Sequence, residues 1–189
     1  MLSYIVFVSC AGMVCFMLFR DGADYSALFT SALLLYYILV YIHMAKIDPL
    51  TSLLNRQSCY SDIKSKARAI TGIVSVDMND LKYFNDSFGH EAGDAALTVI
   101  AGILQAHCGR GGIVYRIGGD EFIIFYIGAE EAEIAAAIDA MRKALAQTPY
   151  ACAFGYARKT PELSMHDALL AADREMYADK ATLKKLSRS

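Results

Sequence analysis

The stretch YRIGGDEFIIF, residues 115–125, decides the fold that the sequence predicts. Its centre is Gly-Gly-Asp-Glu at residues 118–121, and apolar runs of strand type lie on either side, at residues 113–117 and 122–127. The Gly-Gly pair predicts a tight hairpin turn, because glycine adopts the positive φ that such turns require. A hairpin turn does not need acidic residues, so adjacent carboxylates at its tip indicate a functional role.

The segments around the hairpin predict an α+β domain. A buried strand in TGIVSVDM precedes a helix in HEAGDAALTVIAGILQAHCG, and the hairpin follows. Then come a helix rich in alanine, a short strand in YACAFGYA and a final amphipathic helix with Ser164 as its N-cap. The order βαββαβ plus a helix is typical of the ferredoxin-like fold, so we expect an antiparallel sheet with helices on one face.

The N-terminal part of the chain is unusually apolar. Hydrophobic residues make up 56% of the 189 residues, above the roughly 45–50% of soluble domains. Residues 1–19 and 25–44 contain no Asp, Glu, Lys or Arg, and each run is about as long as a helix that crosses a ~30 Å hydrocarbon layer. We therefore predict a membrane hairpin in residues 1–45, with transmembrane helices at about 1–19 and 25–44. A cleaved signal peptide is the alternative for the first run, although that run lacks a basic start.

The distribution of charge predicts where the rest of the chain lies. Basic residues follow the second apolar run, so the positive-inside rule places residues 46–189 in the cytoplasm. The net charge of −2 and the lack of a basic stripe exclude nucleic-acid binding as the main task. The five cysteines show no C-x-x-C spacing, which favours reduced thiols.

The predicted strand in GIVSVDMND ends in an acid, Asp77. A single Asp after a strand often caps the next helix. In a ferredoxin-like sheet, however, the first strand lies beside the central hairpin, so Asp77 and Asp120 converge. Carboxylates placed together repel one another unless a cation lies among them. Mg²⁺ (or Mn²⁺) suits oxygen ligands and leaves room for phosphate oxygens, so we predict a divalent metal site beside a polyphosphate.

Several motifs in order carry a resemblance to a known family. DPLTSLLNR, VDMNDLKYFNDSFGHEAGD and RIGGDEF together resemble the GGDEF-domain diguanylate cyclases over about residues 48–180. In that family two facing domains each bind one GTP and condense the pair to cyclic di-GMP and pyrophosphate on a ferredoxin-like palm. The resemblance implies a Mg²⁺-dependent cyclase, and the two apolar runs predict that it lies in the inner membrane. The resemblance also implies a homodimer formed through the GGDEF domains, and we expect the predicted membrane helices to help pair the chains.

The resemblance implies roles for the residues that match the family's metal and catalytic positions. Asp77 and the backbone carbonyl of Met78 match metal ligands. Asp120 matches the hairpin carboxylate that binds metal and organises the attacking 3′-hydroxyl. Glu121 is a second candidate for the metal or base role, and the sequence does not rank the two acids.

Other matching residues are expected to bind the substrate. Gly118 and Gly119 match the turn against which the phosphates lie, and Lys82 and Lys180 match lysines that reach them. Asn85 and Asp94 match the guanine-binding residues, since a carboxylate can accept hydrogen bonds from guanine N1–H and N2–H₂ together. His90 is predicted to be structural, with a substrate contact as the alternative.

The chain also departs from the family pattern. Lys184 stands where many relatives have arginine, and a lysine lacks the bidentate fork of a guanidinium. Asn79 stands where many relatives have aspartate. Residues 109–112 read GRGG instead of the Arg-x-x-Asp of a product-binding inhibitory site, so we expect no inhibition through that site. The alternatives to an active cyclase are a catalytically silent GGDEF domain that binds GTP or a partner, and a cyclic di-GMP receptor, which the missing Arg-x-x-Asp disfavours.

Overall fold

The computed structural model describes residues 26–44 and 46–186, and the chain divides into two compact units, Met1–Ala45 and Lys46–Ser189. In the first unit, helix α1 spans Ser26–Met44. The described part of the second unit holds strands β1 (Leu54–Asn55), β2 (Ile70–Met78), β3 (Gly112–Arg116), β4 (Glu121–Ile127) and β5 (Cys152–Arg158). Its helices are α2 (Arg56–Lys66), α3 (Leu81–Phe88), α4 (His90–His107), α5 (Glu131–Leu145) and α6 (Met165–Leu186).

The prediction of two transmembrane helices is contradicted. Within the described residues, no helix combines the length and the apolar character needed to cross a bilayer. Helix α1 has 19 residues. It also carries Thr30, Ser31 and Tyr37 among its apolar side chains. The other predicted span, residues 1–19, lies outside the described residues.

The localisation prediction rested on those two spans. The prediction of a multi-pass inner-membrane protein with a cytoplasmic catalytic domain is therefore contradicted by the described part of the chain, which holds no helix able to span a membrane. The pairing of chains through membrane helices is unsupported for the same reason.

The five strands form one sheet in the order β1-β3-β4-β2-β5. Strand β2 lies between β4 and β5 and is antiparallel to both, and β3 is antiparallel to β4. The mixed α+β class and the ferredoxin-like strand order of the prediction fit this sheet. In the register of β2 with β4, Asp77 is opposite Glu121, so the end of β2 lies beside the hairpin tip.

Helices cover both faces of the sheet. One apolar cluster joins Val74 and Val76 of β2 to residues of α4 and α5, such as Ile100 and Met141. A second cluster includes Ile73, on the opposite face of β2, with residues of α2, β4 and α6. The prediction of helices on one face was wrong, because successive side chains of a strand point to opposite faces and β2 is buried on both.

Helix α6 packs with its backbone close to strand β5. A Cβ atom on Gly155 would lie 2.1 Å from both Ala172 O and Met176 N, so only glycine fits. The carboxylate of Asp179 accepts a hydrogen bond of 2.8 Å from the backbone N–H of Phe154. At the start of the helix, Ser164 Oγ accepts one of 3.1 Å from the N–H of Asp167, which confirms the predicted N-cap. These contacts fix the part of α6 that reaches the site.

Candidate functional site

The tip of the hairpin between β3 and β4 is closed by backbone hydrogen bonds. Ile117 N–H and Gly118 N–H both donate to Glu121 O, at 2.9 and 3.3 Å. Gly118 and Gly119 are not among the glycines with positive φ, so the predicted conformational reason for the pair is wrong. A Cβ on Gly118 would instead lie 2.5 Å from the Glu121 carboxylate. The glycine leaves space for that side chain.

Arg116 ties the hairpin tip to the turn that precedes β1. One guanidinium nitrogen donates to Asp48 Oδ1 at 2.9 Å, and the other donates to Gly119 O at 2.8 Å. Asp48 also accepts hydrogen bonds from the N–H and the hydroxyl of Thr51, at 2.9 and 2.7 Å. Burial alone would raise the pKa of Asp48, but these hydrogen bonds outweigh it and the pKa lies below its usual value. Sequence reasoning missed this pair, whose members are 68 residues apart.

The structure brings Asp77 and Asp120 together at one edge of the sheet. The Met78 N–H donates to Asp120 O at 3.0 Å, which fixes the tip against the end of β2. Burial raises the pKa of Asp77 above its usual value; Lys180 opposes this shift and the negative charge of Asp120 adds to it. The carboxylate that interacts with Asp77 from the hairpin is therefore that of Asp120, whereas Glu121 extends towards Gly118.

Lys180 lies directly on Asp77. Its ammonium donates to Asp77 Oδ1 at 2.5 Å, and the Asp77 side chain is only 8% exposed. Two turns earlier on α6, Asp173 accepts a hydrogen bond from Ser75, which shares a face of β2 with Asp77. Lys184, one turn after Lys180, also lowers the pKa of Asp77. The side of α6 that faces β2 thus supplies positive charge at the carboxylate edge.

The predicted guanine-binding residues lie where α3 meets α4. The two helices join at Gly89, whose φ of +87° requires glycine. Asn85 is half-buried in α3, and a Cβ on Gly93 of α4 would lie 2.0 Å from Asn85 Oδ1. Asp94, the next residue, is exposed. The sequence reasoning did not single out Gly93 as the residue that makes room for Asn85.

Two further predicted residues lie on the surface. Lys82 is exposed on α3 and makes no ion pair with Asp77 or Asp120 in the described part of the chain. His90 is exposed at the first position of α4. Both are therefore close in sequence to the predicted guanine-binding residues, and within the described residues neither forms an ion pair with Asp77 or Asp120.

The donor set at the edge suits a cation that is shared with a phosphate. The described residues contain no group of three or more His, Cys, Asp or Glu that could hold a metal ion. What the edge offers is two carboxylates, from Asp77 and Asp120, and the backbone of Met78. Mg²⁺ is usually bound by one or two carboxylates and completes its shell with waters and substrate phosphates. These residues fit such a metal.

Comparison with known proteins identifies the family. The family model described as "Diguanylate cyclase, GGDEF domain" matches residues 45–185. The chain belongs to the GGDEF-domain diguanylate cyclase family. A solved structure of the coiled coil and GGDEF domain of DgcB from Caulobacter crescentus, in complex with c-di-GMP, has a TM-score of 0.72 at 21% identity. The match covers 83% of this chain and 94% of the DgcB chain, which shows a shared GGDEF fold.

Sequence relatives of this GGDEF protein agree. It is 37% identical over 158 residues to an uncharacterized 19.3 kDa protein in the repSA 5′ region of Streptomyces ambofaciens, covering 76% of this chain and 83% of the relative. It is 32% identical over 148 residues to the diguanylate cyclase DgcN of Escherichia coli (strain K12), covering 70% of this chain. The match spans only 36% of the length of DgcN.

Proposed function

We propose that this chain is a diguanylate cyclase that converts two GTP into one cyclic di-GMP and two pyrophosphates. The observation that carries the proposal is the meeting of Asp77 and Asp120 at one sheet edge, with Lys180 beside them. Membership of the GGDEF family and the similarity to DgcN support it. The same edge offers carboxylate oxygens that can bind a metal ion, and the positive charge of the Lys180 ammonium, both of which suit phosphoryl transfer.

The chemistry is a pair of phosphoryl transfers. In each, the 3′-oxygen of one GTP forms a bond to the α-phosphorus of the other, the bond from that phosphorus to the bridging oxygen of the β-phosphate breaks, and pyrophosphate leaves. The hydroxyl proton passes to a carboxylate of the hairpin tip, Asp120 or Glu121. A divalent cation held by Asp77, Asp120 and the Met78 carbonyl would neutralise the triphosphate and polarise the α-phosphate. Lys82 and Lys180 bind the phosphates.

The guanine-binding residues decide which nucleotide enters. Asn85 and Asp94 meet the edge of guanine, and the carboxylate of Asp94 pairs with N–H donors that adenine lacks there. Gly119, whose Cβ position is open, keeps side chains away from the triphosphate, and Gly118 leaves room for the Glu121 carboxylate. We expect GTP to be used and ATP to be rejected.

The reaction requires two copies of the chain. One domain binds one GTP, so each 3′-hydroxyl must attack a phosphate held by a second domain. We therefore propose a homodimer in which the GGDEF domains face each other.

Product analysis tests the proposal. The purified full chain is incubated with GTP and MgCl₂, and the products are identified by liquid chromatography and mass spectrometry. One cyclic di-GMP per two GTP consumed supports the proposal, and a parallel reaction with ATP should give no cyclic dinucleotide. GTP that stays intact at every protein concentration would refute it.

One observation favours a second candidate, a silent GGDEF domain that binds GTP without making product. Lys184 replaces the arginine of many relatives, and a lysine cannot grip a phosphate through two parallel hydrogen bonds. A silent domain would bind GTP in a calorimeter and release no pyrophosphate.

A further inference from the structure

We propose that Lys180 is an exchangeable counter-ion. In the nucleotide-free protein its ammonium neutralises Asp77; when a divalent cation arrives with the nucleotide, the cation takes that place and the ammonium moves to the triphosphate. The inference rests on the proposed function for the nucleotide, but the contact that starts it is present in the free protein.

The geometry gives the lysine and the metal the same place. Lys180 Nζ lies 2.5 Å from Asp77 Oδ1, within the distance of direct ion pairing. The Asp77 side chain is 8% exposed and that of Lys180 is 21% exposed, so little open surface remains around the carboxylate. A cation that binds Asp77 must therefore displace the ammonium.

The balance of charge favours the exchange. The negative charge of Asp120, on the hairpin tip, acts on Asp77 at the end of β2, and Lys180 brings a single positive charge to these two carboxylates. A divalent cation brings two. The nucleotide adds phosphate oxygens, which offer the displaced ammonium a new partner.

The helix that carries Lys180 can stay in place during the exchange. Asp179, the residue before it, is bonded to the backbone of Phe154 and forms an ion pair of 2.8 Å with Arg142. Gly155 holds the preceding turns of α6 against β5. The motion is therefore confined to the side chain of Lys180, whose four-carbon stem is flexible.

The exchange couples metal binding to nucleotide binding. Without nucleotide, the metal must break the Lys180–Asp77 pair and leaves the ammonium without a phosphate, so it binds weakly. With nucleotide, the ammonium gains a partner. By linkage, the metal then strengthens nucleotide binding by the same factor.

The test measures Mn²⁺ affinity of the full chain, without nucleotide, by electron paramagnetic resonance. The variants are Lys180→Met and, as the matched control, Lys143→Met, whose side chain is 82% exposed in a 3.8 Å pair with Asp139. We expect Lys180→Met to bind Mn²⁺ at least about fivefold more tightly than the parent, and Lys143→Met to match the parent. In metal-free buffer the Tm of Lys180→Met should fall by roughly 5 °C, because a buried carboxylate loses its partner, and Mn²⁺ should restore it.

A double variant keeps the test valid if Lys180→Met folds poorly. Removing the carboxylate as well, in Asp77→Asn with Lys180→Met, should recover most of the lost Tm, since no unpaired charge remains. Mn²⁺ affinity that is unchanged or weaker in folded Lys180→Met would overturn the exchange, even if the parent makes cyclic di-GMP. Tighter Mn²⁺ binding in a chain that makes no product would support the exchange and count against the proposed activity.

Discussion

At the scale of single residues, two glycines serve the site by leaving space. Gly118 leaves room for the Glu121 carboxylate, and Gly93 leaves room for the Asn85 amide. Neither residue has the positive φ that is the usual reason why a position requires glycine. The polar side chains that they accommodate are the ones to which the proposed mechanism assigns a role.

Asp120→Asn should abolish product formation and leave the fold intact. The variant keeps the backbone carbonyl that accepts from Met78 N–H and loses only the negative charge. We expect the rate to fall by at least about 100-fold, the scale of losing one electrostatic contact to a transition state. The Tm should change by no more than about 2 °C, as for a surface substitution. Product formation and thermal unfolding are measured together, and turnover near the parent rate would contradict the metal role.

Gly93→Ala should weaken GTP binding by displacing Asn85. The new methyl group would lie 2.0 Å from Asn85 Oδ1, so the amide must rotate away from the nucleotide. Losing one hydrogen-bonding group raises the Kd for GTP by about tenfold. Gly102→Ala in the same helix is the control, because nothing lies within 4 Å of its Cβ. That control should keep the parent affinity for GTP and gain about 0.5–1 kcal/mol of stability. Equal affinity of both variants for GTP would show that Gly93 is not needed to make room for Asn85.

At the scale of elements, two contacts hold the parts of the site in register. Arg116 joins the hairpin tip to the turn at Asp48, and α6 lies against β5 at Gly155. The first contact holds Gly119, the residue before Asp120, in place. The second holds α6, which carries Lys180, against the sheet. Each depends on a close fit between segments that are distant in the chain.

Asp48→Asn should destabilise the protein at neutral pH and much less in acid. The pKa of Asp48 is lower in the folded protein than its usual value, so its stabilisation is complete well above that value and is lost as the pH falls through the folded pKa. At pH 7 the variant should be less stable by about 1.5–3 kcal/mol, the range for hydrogen bonds to a charged group. Urea unfolding at about pH 7 and pH 3 measures the gap. Asp139→Asn, whose carboxylate is 71% exposed, is the control; a gap of the same size at both pH values would contradict the assignment.

Gly155→Ala should be strongly destabilising. Its Cβ would lie 2.1 Å from backbone atoms of α6, and backbone cannot move aside as a flexible side chain can. We expect a loss of about 3 kcal/mol or failure to fold, at the upper end of overpacking costs. The measurement is the urea midpoint, with Gly102→Ala as the control for the loss of a glycine. A midpoint within error of the parent would mean that α6 does not pack this closely.

At the scale of the whole molecule, one chain provides half of a proposed catalytic unit. The described fold places a single carboxylate pair at a single edge of one sheet. The proposed reaction joins two nucleotides through two equivalent bonds, so it needs two such edges facing each other.

Activity per chain should therefore rise with protein concentration. In dilute solution the full chain should lose specific activity as dimers dissociate. The rate of product formation should then become proportional to the square of the protein concentration. Product formed per molecule is measured over a wide dilution series, with the mass of the species followed by light scattering. Constant specific activity in a range where the chain is monomeric would exclude the two-domain mechanism.

The sequence by itself determined the family, the α+β class and the identity of the acids at the sheet edge. These follow from short motifs and from the order of apolar runs, because the alternation of strand residues and the caps of helices are local properties. Ser164 caps its helix as predicted for that reason. Absence of charge in residues 25–44 was a poorer guide, because no helix of the described residues is long and apolar enough to span a bilayer.

Only the tertiary structure decided which residues meet across the chain. Lys180 and Asp77 are 103 residues apart, and Arg116 and Asp48 are 68 apart, so no local pattern predicts either pair. The spatial role of Gly118 and Gly93 depends on which side chain arrives beside each, and the burial of both sheet faces depends on where α6 packs. Such contacts arise from packing between distant segments, which is settled when the whole chain folds.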